Sequence, residues 1–118
     1  MSSIIPRLGA GLAFLAIALG AFGAHSLKSK LEQHGMTAVW NSAVLYHIVH
    51  AIALFAMGGL AKVNRGAGWL FVAGIILFSG SLYVMAITNI PSLGIITPIG
   101  GLCFLAGWAW LTVSPAAK

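Results

Sequence analysis

Long apolar runs alternate with short polar breaks along the whole chain. A bilayer core of about 30 Å is crossed by roughly 20 apolar residues in a helix, and the sequence contains four runs of this kind. Helices are the predicted form because a helix satisfies its own backbone polar groups where no water can reach them. The predicted spans cover residues 7–26, 38–61, 67–88 and 94–113.

The polar breaks predict how these spans are joined. The break "SLKSKLEQHG" (26–35) places Leu27 and Leu31 on one helical face and ends in glycine, a pattern typical of a short helix lying on the membrane surface. Pro91 ends the third span in a tight turn. The predicted fold is an all-α integral membrane protein, a four-transmembrane-helix bundle with a short interfacial helix between spans 1 and 2. It forms a single membrane domain over residues 1–118.

Composition argues for a membrane protein and against a soluble one. Of the 118 residues, 60% are hydrophobic and 6% are charged, whereas a soluble domain devotes about a quarter of its residues to charge. The tryptophans fall near the predicted span ends, as the aromatic belts of membrane proteins do. They are Trp40, Trp69, Trp108 and Trp110.

Basic residues outnumber acidic ones, and the formal net charge is +5. They lie singly or in pairs between apolar runs without a basic patch, so we expect membrane lipid as the partner and no nucleic acid. The side of the termini carries Arg7, Lys62, Arg65 and Lys118, and the opposite side carries Lys28 and Lys30. The excess predicts both termini on the cytoplasmic side, or on the matrix side in a mitochondrion.

The amino-terminal stretch allows one alternative to this topology. "MSSIIPR" followed by "LGAGLAFLAIALGAFGAHS" is similar to a secretory signal peptide. Cleavage after Ala24 would leave three spans. We expect the first span to be retained because its apolar run is longer than the signal-peptide core of about 7 to 15 residues.

Glycine is abundant, with 15 copies in the chain. Lipid tails are as apolar as leucine, so helices associate in a bilayer through close backbone approach and a few polar contacts. Stripes of small residues in the first, third and fourth spans therefore predict packing positions. The glycines in these stripes are Gly9, Gly20, Gly74, Gly80, Gly100, Gly101 and Gly107.

The stretch "VLYHIVHAIALF" (44–55) carries the candidate chemistry. Counted from Trp40, His47 lies about 10 Å and His50 about 15 Å along the second span, which is close to mid-bilayer. Ionisable groups at this depth are costly and are functional candidates by default. Their three-residue spacing puts both on one helical face.

Imidazoles can ligate haem or a transition metal. Ligation of haem by two histidines needs opposite sides of the porphyrin, and the third and fourth spans contain no histidine. No carboxylate or thiolate accompanies the pair, so we expect no cofactor and no metal site. The structural alternative is that His47 and His50 form hydrogen bonds with backbone carbonyls or with Ser79, Ser81 and Tyr83.

Catalytic constellations are missing from the spans. They contain no carboxylate, which argues against acid catalysis and against most ion-coupled transport. No nucleophile with a base and an orienting acid can be assembled. We therefore expect no catalytic residues and no enzymatic activity.

Five sequence blocks together resemble one known family. They are "GAFGAHSL" (20–27), "WNSAVLYHIVHAIAL" (40–54), "LFSGSLY" (77–83), "ITPIGG" (96–101) and "GW" (107–108). In this order they are similar to the family catalogued as domain of unknown function 423, which includes the eukaryotic transmembrane protein 256 group. The resemblance implies a small multi-pass protein of the bacterial inner membrane, the cell's plasma membrane, and implies no particular reaction.

The resemblance also implies which polar residues matter. It favours His50 over His47, pairs His50 with His25 and the Ser-Gly-Ser sequence, and adds Gly23 to the packing glycines. The resulting candidate is a polar intramembrane cluster. Its members are His25, Tyr46, His50, Ser79, Ser81 and Tyr83.

Three functions compete on these observations. The leading hypothesis is a non-enzymatic accessory, assembly or lipid-contacting bundle, which binds a larger membrane complex or further copies of itself. The alternative is a small transporter or channel with a polar lining of His25, Tyr46, His50, Ser79 and Ser81. A haem- or quinone-binding electron-transfer subunit is the second alternative.

Overall fold

A computed structural model describes residues 4–60 and 62–114 of the chain. This part of the chain is helical apart from its short connections. Its α-helices are α1 (Ile4–Ala24), α2 (Lys28–His34), α3 (Thr37–Ala56), α4 (Arg65–Gly74), α5 (Gly80–Thr88) and α6 (Thr97–Val113). A 3₁₀ turn, Met57–Gly59, extends α3, and another, Pro91–Ile95, precedes α6.

Four helices are long and apolar enough to cross a membrane, which confirms the predicted four-span helical fold. They are Ile4–Ala24, Thr37–Gly59, Arg65–Thr88 and Pro91–Val113. The first span reaches further towards the amino terminus than predicted, because Pro6 lies in the first turn of α1, where a missing N–H costs no hydrogen bond. Ala61 and Lys118, which the predictions included, lie outside the described residues.

The short helix α2 connects the first two spans as predicted. Its exposed residues are polar, whereas Leu31 is buried against the end of the bundle. Gly35 ends α2 in the left-handed conformation with a φ of 66°, which favours glycine because it has no Cβ. The ring N–H of His34 donates to the Ala86 carbonyl at 2.8 Å, so α2 is held against α5.

The third span is not the uninterrupted α-helix that the hydrophobic pattern predicts. A π-helical turn, Ile75–Ser79, separates α4 from α5. The fourth span packs directly on this turn, because a Cβ at Gly100 would overlap the backbone nitrogen of Phe78 and lie 2.7 Å from its Cα. The π turn therefore marks the closest backbone approach between α6 and the third span.

The four spans pack in the order first, second, third and fourth, with α1 on α3 and α6 on α4. In the most apolar stretch of each span, 17% of the residues are buried in the first and fourth spans and 33% in the second and third. The outer pair therefore turns most of its surface away from the bundle. At the first interface a Cβ at Gly9 would overlap the backbone nitrogen of Phe55 and lie 2.7 Å from the Ala51 carbonyl oxygen.

The predicted packing glycines divide into two groups. Gly23 lies against the Trp40 indole, Gly100 lies on the Phe78 backbone, and a Cβ at Gly20 would lie 3.4 Å from a Val44 methyl group. Added Cβ atoms at Gly80 and Gly101 would lie 3.8 Å from the Ile75 carbonyl oxygen and the Phe78 ring, respectively, which is an ordinary contact distance. The structure thus does not give Gly80 and Gly101 the tight packing role expected, because Ser79 and Ser81, on either side of Gly80, make the contacts to the neighbouring spans.

Candidate functional site

One face of α3 carries the buried side chains that join the second span to the other three. Its members recur every three or four residues, which places them on one side of a helix. They are Trp40, Ala43, His47, His50 and Leu54.

Both ring nitrogens of His50 are engaged in hydrogen bonds. Its Nδ1–H donates to the Tyr46 carbonyl at 2.7 Å, and its Nε2 accepts from the indole N–H of Trp108 at 2.9 Å. A carbonyl can only accept and an indole N–H can only donate, so these partners select the neutral ring with its proton on Nδ1. No lone pair of His50 is free to bind a metal or a haem iron in this arrangement.

Aromatic rings from two other helices enclose the His50 imidazole. The Phe104 ring stacks on it with centroids 3.7 Å apart and an interplanar angle of 12°. The Phe71 ring meets it edge-on at 5.2 Å, and the Trp108 ring lies 5.8 Å away. We call Phe71, Phe104 and Trp108 the His50 box.

Two glycines position the phenylalanines of the His50 box. The Phe104 ring of α6 lies on Gly74 of α4, and the Phe71 ring of α4 lies on Gly107 of α6. Each phenylalanine occupies the space that a side chain on the opposite glycine would fill. Close approach of this kind is how helices associate in a bilayer.

His47 has a different set of neighbours. Its Nδ1 shares a hydrogen bond of 2.8 Å with the Tyr83 hydroxyl of α5. Among the described residues, its Nε2 is the one buried side-chain nitrogen or oxygen without a hydrogen-bond partner. The backbone of Leu12 on α1 lies near this ring. His47 thus lies at the centre of the bundle, between the first and third spans.

Trp40 is a core residue and not the belt residue that its position near the span end predicts. Its indole N–H donates to the Leu19 carbonyl at 2.9 Å, and its ring lies 4.8 Å from that of Tyr83. The absence of a side chain at Gly23 leaves room for the indole against α1. The Trp40 hydrogen bond to Leu19 therefore joins the second span to the first.

The two serines beside the π turn bind different spans. The Ser79 hydroxyl donates to the Ala43 carbonyl of α3 at 2.7 Å. Ser81 shares a hydrogen bond of 2.6 Å with Thr97 at the start of α6 and also donates to the Phe78 carbonyl. These short polar contacts hold the irregular turn between its neighbours.

The six residues of the predicted polar cluster do not meet at one place. His25 is exposed after the end of α1, whereas Gly9 of α1 lies close to the carbonyl of Ala51, the neighbour of His50. At 1.5 Å per residue, His25 lies about 24 Å further along α1. The structure therefore separates His25 from His50. Tyr83 and Ser79 contact α3 around His47 and Ala43.

Sequence reasoning did not predict the His50 box or the contact of His34. A signal for the box exists: "FVAG" (71–74) and "FLAG" (104–107) repeat a phenylalanine followed three residues later by glycine. These two motifs supply the reciprocal phenylalanine and glycine contacts.

An apolar groove of about 510 Å³ opens on the outer surface between α3, the π turn and α6. A second groove of about 450 Å³ continues it towards the α2 end of the bundle. The two share Tyr46 and Phe78. Within the described residues, no three side chains of His, Cys, Asp or Glu lie close enough to hold a metal ion.

Residues 19–101 match the family model described as "Protein of unknown function (DUF423)". The chain belongs to this family. It is 47% identical over 113 residues to UPF0382 membrane protein YwdK of Bacillus subtilis (strain 168), a match that covers 91% of each chain. It is also 47% identical over 111 residues to UPF0382 membrane protein SAB0533 of Staphylococcus aureus (strain bovine RF122 / ET3-1), covering 91% of this chain and 90% of the relative. No solved structure matches the chain.

Membership of the DUF423 family agrees with the four apolar helices, since these relatives are named membrane proteins. The family description gives no activity. The protein is thus a helical membrane protein of a family of unknown function, and its site must be interpreted from its own contacts.

Proposed function

We propose that the protein is a non-enzymatic accessory or assembly subunit of the bacterial inner membrane that acts through contacts of its first helix, α1, with a larger complex. One observation carries the proposal: apart from Nε2 of His47, the buried side-chain nitrogens and oxygens among the described residues are hydrogen-bonded to one another or to backbone carbonyls. Groups engaged in this way hold helices together, and each such bond contributes about 0.6 kcal/mol and at most about 1.7 kcal/mol in a bilayer.

The alternatives receive less support from the same contacts. A channel lined by His25, Tyr46, His50, Ser79 and Ser81 needs these side chains around a shared cavity, but Ser79 is fully buried on the Ala43 carbonyl and His25 lies at the end of the bundle. Haem ligation needs a free imidazole nitrogen. Both nitrogens of His50 are engaged, and the unbonded Nε2 of His47 is buried within the bundle between the first and third spans.

The outer spans offer surface for a partner. Phe14 is 76% exposed on α1, and Ile17 and Phe22 are also exposed there. A membrane helix whose surface is mostly uncovered by its own bundle contacts either lipid or a helix of another protein. We propose that α1 contacts the partner, since α1 packs mainly against α3 and leaves its other sides open.

We further propose that both termini lie on the cytoplasmic side. Arg7, Lys62 and Arg65 lie at the end of the bundle where α1 begins and α6 ends, whereas Lys28 and Lys30 belong to α2 at the opposite end. The positive-inside rule relates the side richer in basic residues to the cytoplasm.

Photo-crosslinking tests the proposed function. A photoreactive amino acid replaces Phe14 on α1 or, as the control, Leu102 on α6, in the full chain in native membranes. We expect a discrete adduct with another protein from Phe14 and none from Leu102, and a complex larger than the 12.2 kDa chain in mild detergent. A monodisperse monomer with lipid adducts alone at Phe14 would contradict the proposal, and an adduct of twice the chain mass would identify self-association instead.

A further inference from the structure

We infer that the groove beside Tyr46 binds a prenylated quinone, a membrane lipid with a planar ring that bears carbonyl groups. The inference is independent of the accessory role proposed above. It concerns binding alone and assigns no electron transfer to the chain.

Tyr46 has an unusual environment for a residue near the middle of a span. Its carbonyl accepts the His50 bond and its ring lies 4.8 Å from that of Phe78, but its hydroxyl has no hydrogen-bond partner among the described residues. The side chain is 44% exposed at the groove, about 14 Å along α3 from Thr37. A hydroxyl in hydrocarbon without a partner is unfavourable, so the occupant of the groove should carry an acceptor at this depth.

The walls of the groove suit a planar ring. Tyr46, Phe78 and Phe104 line the groove, with Phe78 and Phe104 centroids 5.6 Å apart. Small-molecule sites are typically cavities of about 300 to 1,000 Å³ with aromatic walls and few polar groups, and this groove measures about 510 Å³. The continuing groove gives a prenyl chain a path that is mostly apolar, past Ala38, Val39 and Leu82, with the hydroxyls of Ser42 and Thr97 also in its lining.

Other occupants match these features less well. A phospholipid has its ester and headgroup oxygens near the interface, so only its acyl chain, which has no acceptor, would reach Tyr46. A second copy of this chain related by a two-fold axis would bring the same surface against itself. Two grooves would then face each other, and neither would be filled. A neutral ring with carbonyl acceptors satisfies both the aromatic walls and the Tyr46 hydroxyl.

Gly101 provides a precise way to block the groove. It lines the groove, and a Cβ there would come no closer than 3.8 Å to Phe78. Gly101→Leu should therefore fill the site without displacing the neighbouring span. Gly11 on α1 is a matched control, because a Cβ there meets no atom within 4 Å and Gly11 does not line the groove.

The test uses the full chain in lipid nanodiscs and a photoreactive prenylated naphthoquinone, with labelled peptides identified by mass spectrometry. We expect saturable labelling of α3 and α6 peptides. Tyr46→Phe keeps the ring and removes the hydroxyl, so it should weaken binding about tenfold, the equivalent of one hydrogen bond. Gly101→Leu should abolish the labelling, and Gly11→Leu should leave it unchanged.

Three results would overturn the inference. The first is non-saturable labelling that is the same in all variants. The second is equal labelling by a photoreactive phospholipid acyl chain together with no effect of Tyr46→Phe, which would assign the groove to bulk lipid. The third is a change of oligomeric state in Gly101→Leu, which would assign the groove to a second copy. If Gly101→Leu does not fold, Leu105→Trp gives the same test one helical turn further along α6, where the leucine also lines the groove and is 67% exposed.

Discussion

The Trp108 indole N–H donates to Nε2 of His50 at 2.9 Å and so joins the fourth span to the second. His50 in turn donates its Nδ1 proton to the Tyr46 carbonyl of its own helix. The bond between the spans depends on the neutral ring, because a proton on Nε2 would remove the acceptor. His50 therefore acts as an oriented structural acceptor within the bundle.

Trp108→Phe should destabilise the bundle by about 0.6 to 1.7 kcal/mol, because it removes the donor to His50 and keeps an aromatic ring in the box. Unfolding in mild detergent, followed by circular dichroism, measures the change. Trp69→Phe is the matched control, since Trp69 is 46% exposed against 44% for Trp108, and its indole N–H has no hydrogen-bond partner among the described residues. Equal destabilisation by the two substitutions would show that the hydrogen bond contributes nothing specific.

Gly100→Ala should be strongly destabilising and Gly101→Ala should not. A Cβ at Gly100 would overlap the Phe78 backbone, which cannot move as a side-chain end can, and overpacking of this kind costs about 1 to 3 kcal/mol. A Cβ at Gly101 has room, and alanine is favoured over glycine in a helix by up to about 1 kcal/mol. Denaturation of the two variants in parallel measures the difference. Equal stability of Gly100→Ala and Gly101→Ala would contradict the close contact between Gly100 and the Phe78 backbone.

His47 and Tyr83 should be energetically coupled. A double-mutant cycle with His47→Leu and Tyr83→Phe isolates the bond between their side chains, and we expect a coupling free energy of about 0.6 to 1.7 kcal/mol. The same cycle with His50→Leu in place of His47→Leu should give coupling close to zero, since Tyr83 bonds to His47. Stronger coupling of Tyr83 to His50 than to His47 would contradict the hydrogen bond between His47 and Tyr83.

The proposed orientation predicts which loops react from outside the cell. With Cys103→Ser as background, Lys30→Cys on α2 should react with a membrane-impermeant thiol reagent in intact cells. Lys62→Cys should react only after the membrane is opened. The opposite labelling pattern would show that the topology is the inverse of the one proposed.

The spans could be predicted from sequence because their length and apolarity are properties of one segment at a time. The π turn could not, since it depends on the contact of Gly100 with the Phe78 backbone, residues that only the fold brings together. Hydrophobic periodicity at 3.6 residues per turn carries no sign of this local change of pitch.

The partners of the two histidines show the same limit within the candidate site. Residues three apart on a helix differ in direction by about 60°, so periodicity places His47 and His50 on one face. That difference is enough to direct His47 to Tyr83 and His50 to the rings of Phe104 and Trp108. Which neighbour each one meets depends on the order in which the spans pack, and no single helix contains that information.

The Phe104 ring packs on Gly74 and the Phe71 ring packs on Gly107, and these two contacts predict how related chains vary. The space for the ring at position 104 is set by residue 74, and the space for the ring at position 71 is set by residue 107. A substitution at one of these positions should therefore be compensated on the other helix. We expect positions 71 and 107 to covary among homologues, and likewise positions 74 and 104, whereas the two positions within one four-residue motif should vary independently of each other.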